Sequence, residues 1–141
     1  KQGWNVVHIP FTKDDQRFAS YVFQEMSVET CSYSHKVKAT YEKVARCSRF
    51  ICTRYHSHIF ALKERIPLFS FDYSTKNRLI KKDLDIPDSV QATRQEVAQD
   101  EDSVVSRFLD HSGFVLSKDE LNQIRKDVRS NIKSALHIIY K

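Results

Sequence analysis

Short apolar runs alternate along this chain with longer stretches in which apolar residues return every three or four positions. Trp4 to Ile9 is an apolar, β-branched run closed by Pro10, the pattern of a buried strand. Thr12 is placed to cap the helix that follows, with Asp14 and Asp15 in its first turn, where negative charge meets the positive end of the helix dipole. Ala19, Val22, Phe23 and Met26 fall at helical spacing and predict one buried face. The pattern breaks over Cys31 to Ser34. Val37, Tyr41, Val44, Ala45 and Ser48 then mark a second helix ending near Cys47.

Phe50 to Thr53 reads as a strand apolar on both faces, as a parallel strand should be. Ser57 to Arg65 follows as a short helix, largely buried through Ile59, Phe60 and Leu62. Pro67 to Phe71 makes a third strand, and Ser74 to Leu84 a basic amphipathic helix ended by Pro87. Val90 to Thr93 fits a fourth strand and Asp100 to Asp110 another helix. The capping box Ser117-Lys118-Asp119-Glu120 opens a long helix whose Leu121, Ile124, Val128, Ile132, Ala135, Leu136 and Ile139 share a stripe.

Strands alternating with helices predict an α/β domain, a Rossmann-like parallel sheet flanked by helices with right-handed crossovers. The 141 residues suit a single domain. A sheet of three or four strands opening directly on a strand is narrow. The expectation is therefore a piece of a longer protein, lacking an N-terminal domain and possibly its own first strand and helix. No apolar run approaches the ~18 residues that cross a bilayer, and no signal peptide's apolar region is present.

Composition removes some function classes. The chain has only two glycines, Gly3 and Gly113, so neither a GxGxxG turn nor a Walker loop exists. Any phosphate must be held by side chains and helix N-termini. Three cysteines, Cys31, Cys47 and Cys52, form no CxxC pair and signal neither a disulfide framework nor a metal site, which fits a reducing cytoplasm. The net charge of +5 is spread along the chain and lacks the clustered basic and aromatic platform of a nucleic-acid surface.

The chemistry concentrates at two predicted strand ends. α/β sheets bind ligands at the carboxyl ends of their strands. Arg54 stands where the second of these strands stops being apolar, and its guanidinium can fork onto a carboxylate or phosphate. His56 follows it, and an imidazole can deliver and recover a proton at neutral pH. Ser57 reads as the cap of the next helix rather than a nucleophile, since no GxSxG elbow surrounds it. His58 projects to another side of that helix and takes a structural role; two positions apart, the histidines make a poor metal pair. Tyr73 and Lys76 follow the third strand, a hydrogen-bond donor and a compact charge suited to phosphate.

The run Thr53-Arg54-Tyr55-His56-Ser57-His58-Ile59-Phe60-Ala61-Leu62, then Ile66-Pro67, then Asp72-Tyr73-Ser74-Thr75-Lys76, resembles the signature of the polysaccharide pyruvyl transferases. Their pattern is an Arg-x-His opening a helix with Phe-Ala, a short gap to a Pro-led strand, then a Tyr with a Lys three residues later. Val6 to Phe11 and the acidic helix start after it resemble the preceding unit of the same family. Two departures stand out: Ser74-Thr75 replaces the family's Asp-Pro, and Cys52-Thr53 stands where a Gly often precedes the Arg. The resemblance implies the second half of a two-domain enzyme similar to the GT-B arrangement. It implies transfer of an enolpyruvyl group from phosphoenolpyruvate to hydroxyls of a glycan or lipid-linked saccharide, closing a pyruvate ketal without cofactor, metal or nucleic acid. His56 would carry the proton, and Arg54, Ser57, Tyr73 and Lys76 would hold substrate.

Two other readings exist. A nucleotide-sugar glycosyltransferase of the same architecture would want a carboxylate to grip a ribose, and Glu64 is the only one expected near the site, at the far end of its helix. A non-catalytic interaction domain would use the basic final helix through Lys118, Lys126, Arg129 and Lys133.

Overall fold

The computed structural model describes residues 3–26, 28–72 and 74–139, with side chains described as far as residue 132. Strands and helices alternate through it, and every ladder is parallel. β3 (Phe50–Cys52), β4 (Leu68–Asp72) and β5 (Gln91–Thr93) form one sheet, with Phe50 opposite Leu68 and Ser70 opposite Gln91. β1 (Val7–His8) and β2 (Glu29–Thr30) form a second, shorter ladder. The expected α/β class with parallel strands flanked by helices is what the chain adopts.

β1 is far shorter than the apolar run from Trp4 to Ile9, and Trp4 and Val6 lie exposed. Pro10 has no N–H to continue a ladder. β2 was not predicted at all: Glu29 and Thr30 carry no apolar alternation, and two residues are too few to show one.

α1 (Lys13–Val22) is capped as expected, its Thr12 hydroxyl accepting from the Asp15 N–H at 3.1 Å. Its predicted apolar face is corrected: Ala19 is buried, but Val22 and Met26 are exposed. α2 (Val37–Val44) ends just short of the expected Cys47. α3 (Tyr55–Glu64) starts earlier than predicted, with Arg54 rather than Ser57 at the cap position. The Ser57 hydroxyl accepts from the Arg54 N–H at 3.1 Å and donates to the Arg54 carbonyl at 2.5 Å, closing the first turn from its third residue. α4 (Thr75–Asp83) is capped by Ser74. A 3-10 turn over Asp88–Val90 leads into β5, followed by α5 (Arg94–Gln99), which the sequence pattern did not reveal, and α6 (Glu101–Asp110). α7 spans Lys118–Ile139, and its predicted capping box is made: the Ser117 N–H donates to Glu120 at 2.7 Å and the Glu120 N–H to Ser117 at 3.1 Å.

The core lies where α3 and α4 cover the three-stranded sheet: Cys52, Ala61, Leu62, Leu68, Phe69 and Ile80. Ile51 is half exposed, so β3, apolar on both faces, is not buried on both. Between α6 and α7 the chain returns to β4, where Leu68 and Phe114 exchange backbone hydrogen bonds of 3.0 and 2.9 Å. Gly113 makes that approach possible: its φ is +81°, and a Cβ there would sit 3.0 Å from the Pro67 Cβ.

Candidate functional site

The first helical turns after β1, β3, β4 and β5 follow four parallel strand exits, and each opens on a capping interaction rather than a glycine turn. Helix N-termini expose unpaired N–H groups and a positive dipole end. A carboxyl edge made this way favours anions.

Arg54 sits at the exit of β3. Its Nε donates to Asp15 Oδ1 at 3.1 Å, and its Nη2 donates to the same oxygen. The other Asp15 oxygen accepts the Phe11 and Thr12 N–H groups, both at 3.0 Å. One carboxylate therefore caps α1 and aims the guanidinium, joining the exit of β1 to that of β3. Burial alone would raise the Asp15 pKa; the hydrogen bonds from Arg54, Phe11 and Thr12 and the guanidinium charge outweigh it and hold the carboxyl below its ordinary value. The sequence reading that Glu64 is the only nearby carboxylate is thus corrected. Asp15 is present, though both its oxygens are committed.

His56 is exposed in the first turn of α3, its ring edge-on to Tyr55 at 5.6 Å between centroids. Lys76 is exposed in the first turn of α4. Ser57 is buried, its hydroxyl accepting from the Arg54 N–H and donating to the Arg54 carbonyl. Tyr73 lies outside the described residues.

What ties the two strand exits together is Asn77, a residue with no sequence signal beyond its place after the Ser74 cap. It is buried, and its amide donates to the Thr53 carbonyl at 3.0 Å and the Phe71 carbonyl at 3.1 Å. The exits of β3 and β4, and with them Arg54, His56 and Lys76, are thereby held on one edge. Two surface clefts, one along α7 and one between α1 and the residues after β2, are lined by none of the three groups.

Beneath this edge lies a buried polar pair. His58 Nδ1 lies 2.9 Å from the Arg54 carbonyl and so carries the proton; Nε2, 2.8 Å from Ser70 Oγ, accepts the serine hydroxyl. Burial depresses the His58 pKa, against the opposing pulls of the Arg54 carbonyl and Asp72. With Ser70 fully buried, the pair supports the turn that carries Arg54 and is closed to substrate. The Cys52 thiol is driven far up by burial and is inert as a nucleophile.

No protein-family model, curated protein or solved structure matches this chain, so a functional reading rests on its own residues. Among the described residues no group of three or more His, Cys, Asp or Glu could hold a metal ion, and no helix is long and apolar enough to cross a membrane.

Proposed function

We propose that this chain carries the donor-binding and proton-transfer groups of a pyruvyl transferase acting on phosphoenolpyruvate and the hydroxyls of a glycan or lipid-linked saccharide. One juxtaposition supports the reading. Arg54 stands at the N-cap position of α3, His56 in its first turn, and Lys76 in the first turn of the neighbouring α4, over strand exits that Asn77 stitches together.

In this reading Arg54 and Lys76 take the donor's carboxylate and phosphate, aided by the dipoles of α3 and α4. His56 protonates the methylene carbon, which builds positive charge on the adjacent carbon. An acceptor hydroxyl attacks there, and a second hydroxyl displaces phosphate to close the ketal. Of the two hydroxyl protons released, one balances that on the new methyl group and one leaves with the phosphate. Asp15 keeps the guanidinium presented and takes no part in the bond changes. Tyr73 remains in the proposal on its sequence position alone, and Ser57 through the helix N-terminus whose first turn it closes. The GT-B-like partner domain expected on the N-terminal side would bring the acceptor, and the enzyme would work in the cytoplasm on precursors of a cell-envelope polysaccharide.

The test has two arms. Phosphoenolpyruvate titrated into the chain should move the backbone amide signals of residues 54–57 and 75–77, and Arg54→Lys should weaken that binding, since a point charge replaces a fork. In the full-length protein, His56→Ala should abolish phosphate release with glycan acceptors while donor affinity stays within about twofold, the mark of an interaction made only in the transition state. Absence of donor binding, or turnover that survives His56→Ala, ends the proposal.

A further inference from the structure

A second feature of the carboxyl edge is left unused by that chemistry. An open cleft of about 380 Å³ lies between the first two turns of α1 and the residues that follow β2. Lys13, Gln16, Arg17 and Ser20 form one wall, four residues on a single helical stripe, and Tyr33 and His35 form the other. β1 and β2 are adjacent and parallel. The cleft therefore occupies the place outside neighbouring strand exits where α/β sheets receive ligands.

Its walls are fixed to each other. The Tyr33 N–H donates to Gln16 Oε1 at 2.7 Å, which leaves the Gln16 amide N–H groups for other partners. Tyr33 and His35 stand edge to face with centroids 4.9 Å apart, and the tyrosine hydroxyl lies 3.4 Å from His35 Nδ1. Ser20 is anchored by its bond to the Arg17 carbonyl at 2.8 Å. Lys13 and Arg17 bring fixed positive charge. Among the described residues the carboxylate paired with them is Asp14, 3.7 Å from Arg17, with both side chains more than four-fifths exposed. An exposed pair of that kind holds an arginine only weakly, so an incoming anion can take it over.

From this arrangement we infer that the cleft binds a sugar phosphate. The phosphate lies against Lys13 and Arg17, where a guanidinium matches its oxygens. The sugar ring packs its C–H face on the Tyr33 and His35 rings, and Gln16 reads its hydroxyls. A volume near 380 Å³ falls in the lower part of the range for small-ligand sites, enough for a monosaccharide and its phosphate. The inference does not depend on pyruvyl transfer, because none of its residues belongs to the Arg54, His56 and Lys76 group.

The experiment titrates the chain separately with glucose 1-phosphate, glucose, inorganic phosphate and phosphoenolpyruvate while following backbone amide signals. Glucose 1-phosphate should shift residues 13–20 and 33–35 saturably, several-fold more tightly than inorganic phosphate, with glucose alone near inert. Arg17→Ala and Lys13→Ala should each weaken it about tenfold, the scale of one lost charge-assisted bond. Both positions are exposed, so thermal midpoints should not move. Inorganic phosphate binding as tightly as the ester, or affinity unchanged in both variants, overturns the inference. Phosphoenolpyruvate is the internal control. Shifts at residues 54–57 and 75–77 with none at the cleft separate failure here from failure of the pyruvyl transferase reading.

Discussion

The two ladders of this fold are parallel and similarly connected, yet they are built to different standards. Around β3, β4 and β5, Leu68, Cys52, Ala61 and Ala92 are wholly shielded from solvent, and His58, Ser70 and the Asn77 amide N–H groups enter the interior with hydrogen-bond partners, whereas Asn77 Oδ1 and Gln91 Oε1 are buried without one. Around β1 and β2 the interior thins to Ile9, Ala19 and Val44, while Phe18 and Tyr21 on α1 stand 67% and 81% exposed. The contrast separates two jobs. The three-stranded sheet pins the exits carrying Arg54, His56 and Lys76; the two-stranded one presents α1 as an arm whose carboxylate reaches across to aim Arg54.

The sharpest way to break the comparison is to remove the same kind of group from each side. Leu68→Ala in β4 should cost about 3–5 kcal/mol, because a filled interior cannot collapse around the void. Phe18→Ala should stay within about 0.5 kcal/mol, as substitutions of exposed side chains do. Urea unfolding of both variants checks this, and equal losses would show that the halves are packed alike. Next in size is Gly113→Ala. An L side chain there meets a positive φ and the Pro67 Cβ 3.0 Å away, so a loss of roughly 1–3 kcal/mol is expected, relieved if the 114–116 segment lifts off β4.

The same contrast explains what could be read from the chain in advance. Local chemistry was legible: Thr12 and the Ser117–Glu120 box cap the helices their spacing predicts, and Arg54 and Lys76 lie at strand exits. What depended on distant partners was not. Asp15 read as a capping residue at a strand end that could reach the same cleft, and the approach of Arg54, 39 positions on, gives it its second role. Ser57 read as a cap because serine usually is one, whereas its hydroxyl serves Arg54 from inside the turn. Val22 and Met26 had the spacing of a buried face, but β1 and β2 are too short to cover it. No pattern marks β2, and none marks Asn77 as the link between two strands.

Asp15→Asn tests the arm that joins the halves. Asparagine keeps the shape but removes the charge that Arg54 and the two N–H groups share. Loss of a helix cap alone is worth about 1 kcal/mol, and the exposure of Arg54 limits what the ion pair adds. The pH dependence sharpens the assignment. A carboxyl held below its ordinary value of 3.8 stabilises the fold fully above that pH, and the contribution disappears as pH falls through the lower, folded value. Acid unfolding of the wild type should therefore be steeper below about pH 4 than that of Asp15→Asn. If the two profiles coincide, Asp15 and Arg54 are not paired in solution.

The smallest effect expected is the most diagnostic, because each half contributes one histidine of the same kind. His58 in the packed half and His8 in the thin half both have depressed pKa values, in each case first through burial, with carboxylates pulling the other way. A depressed imidazole binds fewer protons folded than unfolded. Its contribution to stability is complete above the unfolded value of 6.5 and is lost as pH drops from there through the folded value. Urea midpoints should accordingly be level between about pH 7 and pH 8 and fall on acidification below that. His58 is wholly enclosed and bonded at both ring nitrogens, so its protonation also turns the Ser70 hydroxyl away from its acceptor; His8 is only partly enclosed. His58→Asn should flatten the acid slope more than His8→Asn does, whatever each costs at pH 8. The reverse order would mean that the two-stranded half is the better sealed, and the division of labour drawn between the ladders would have to be exchanged.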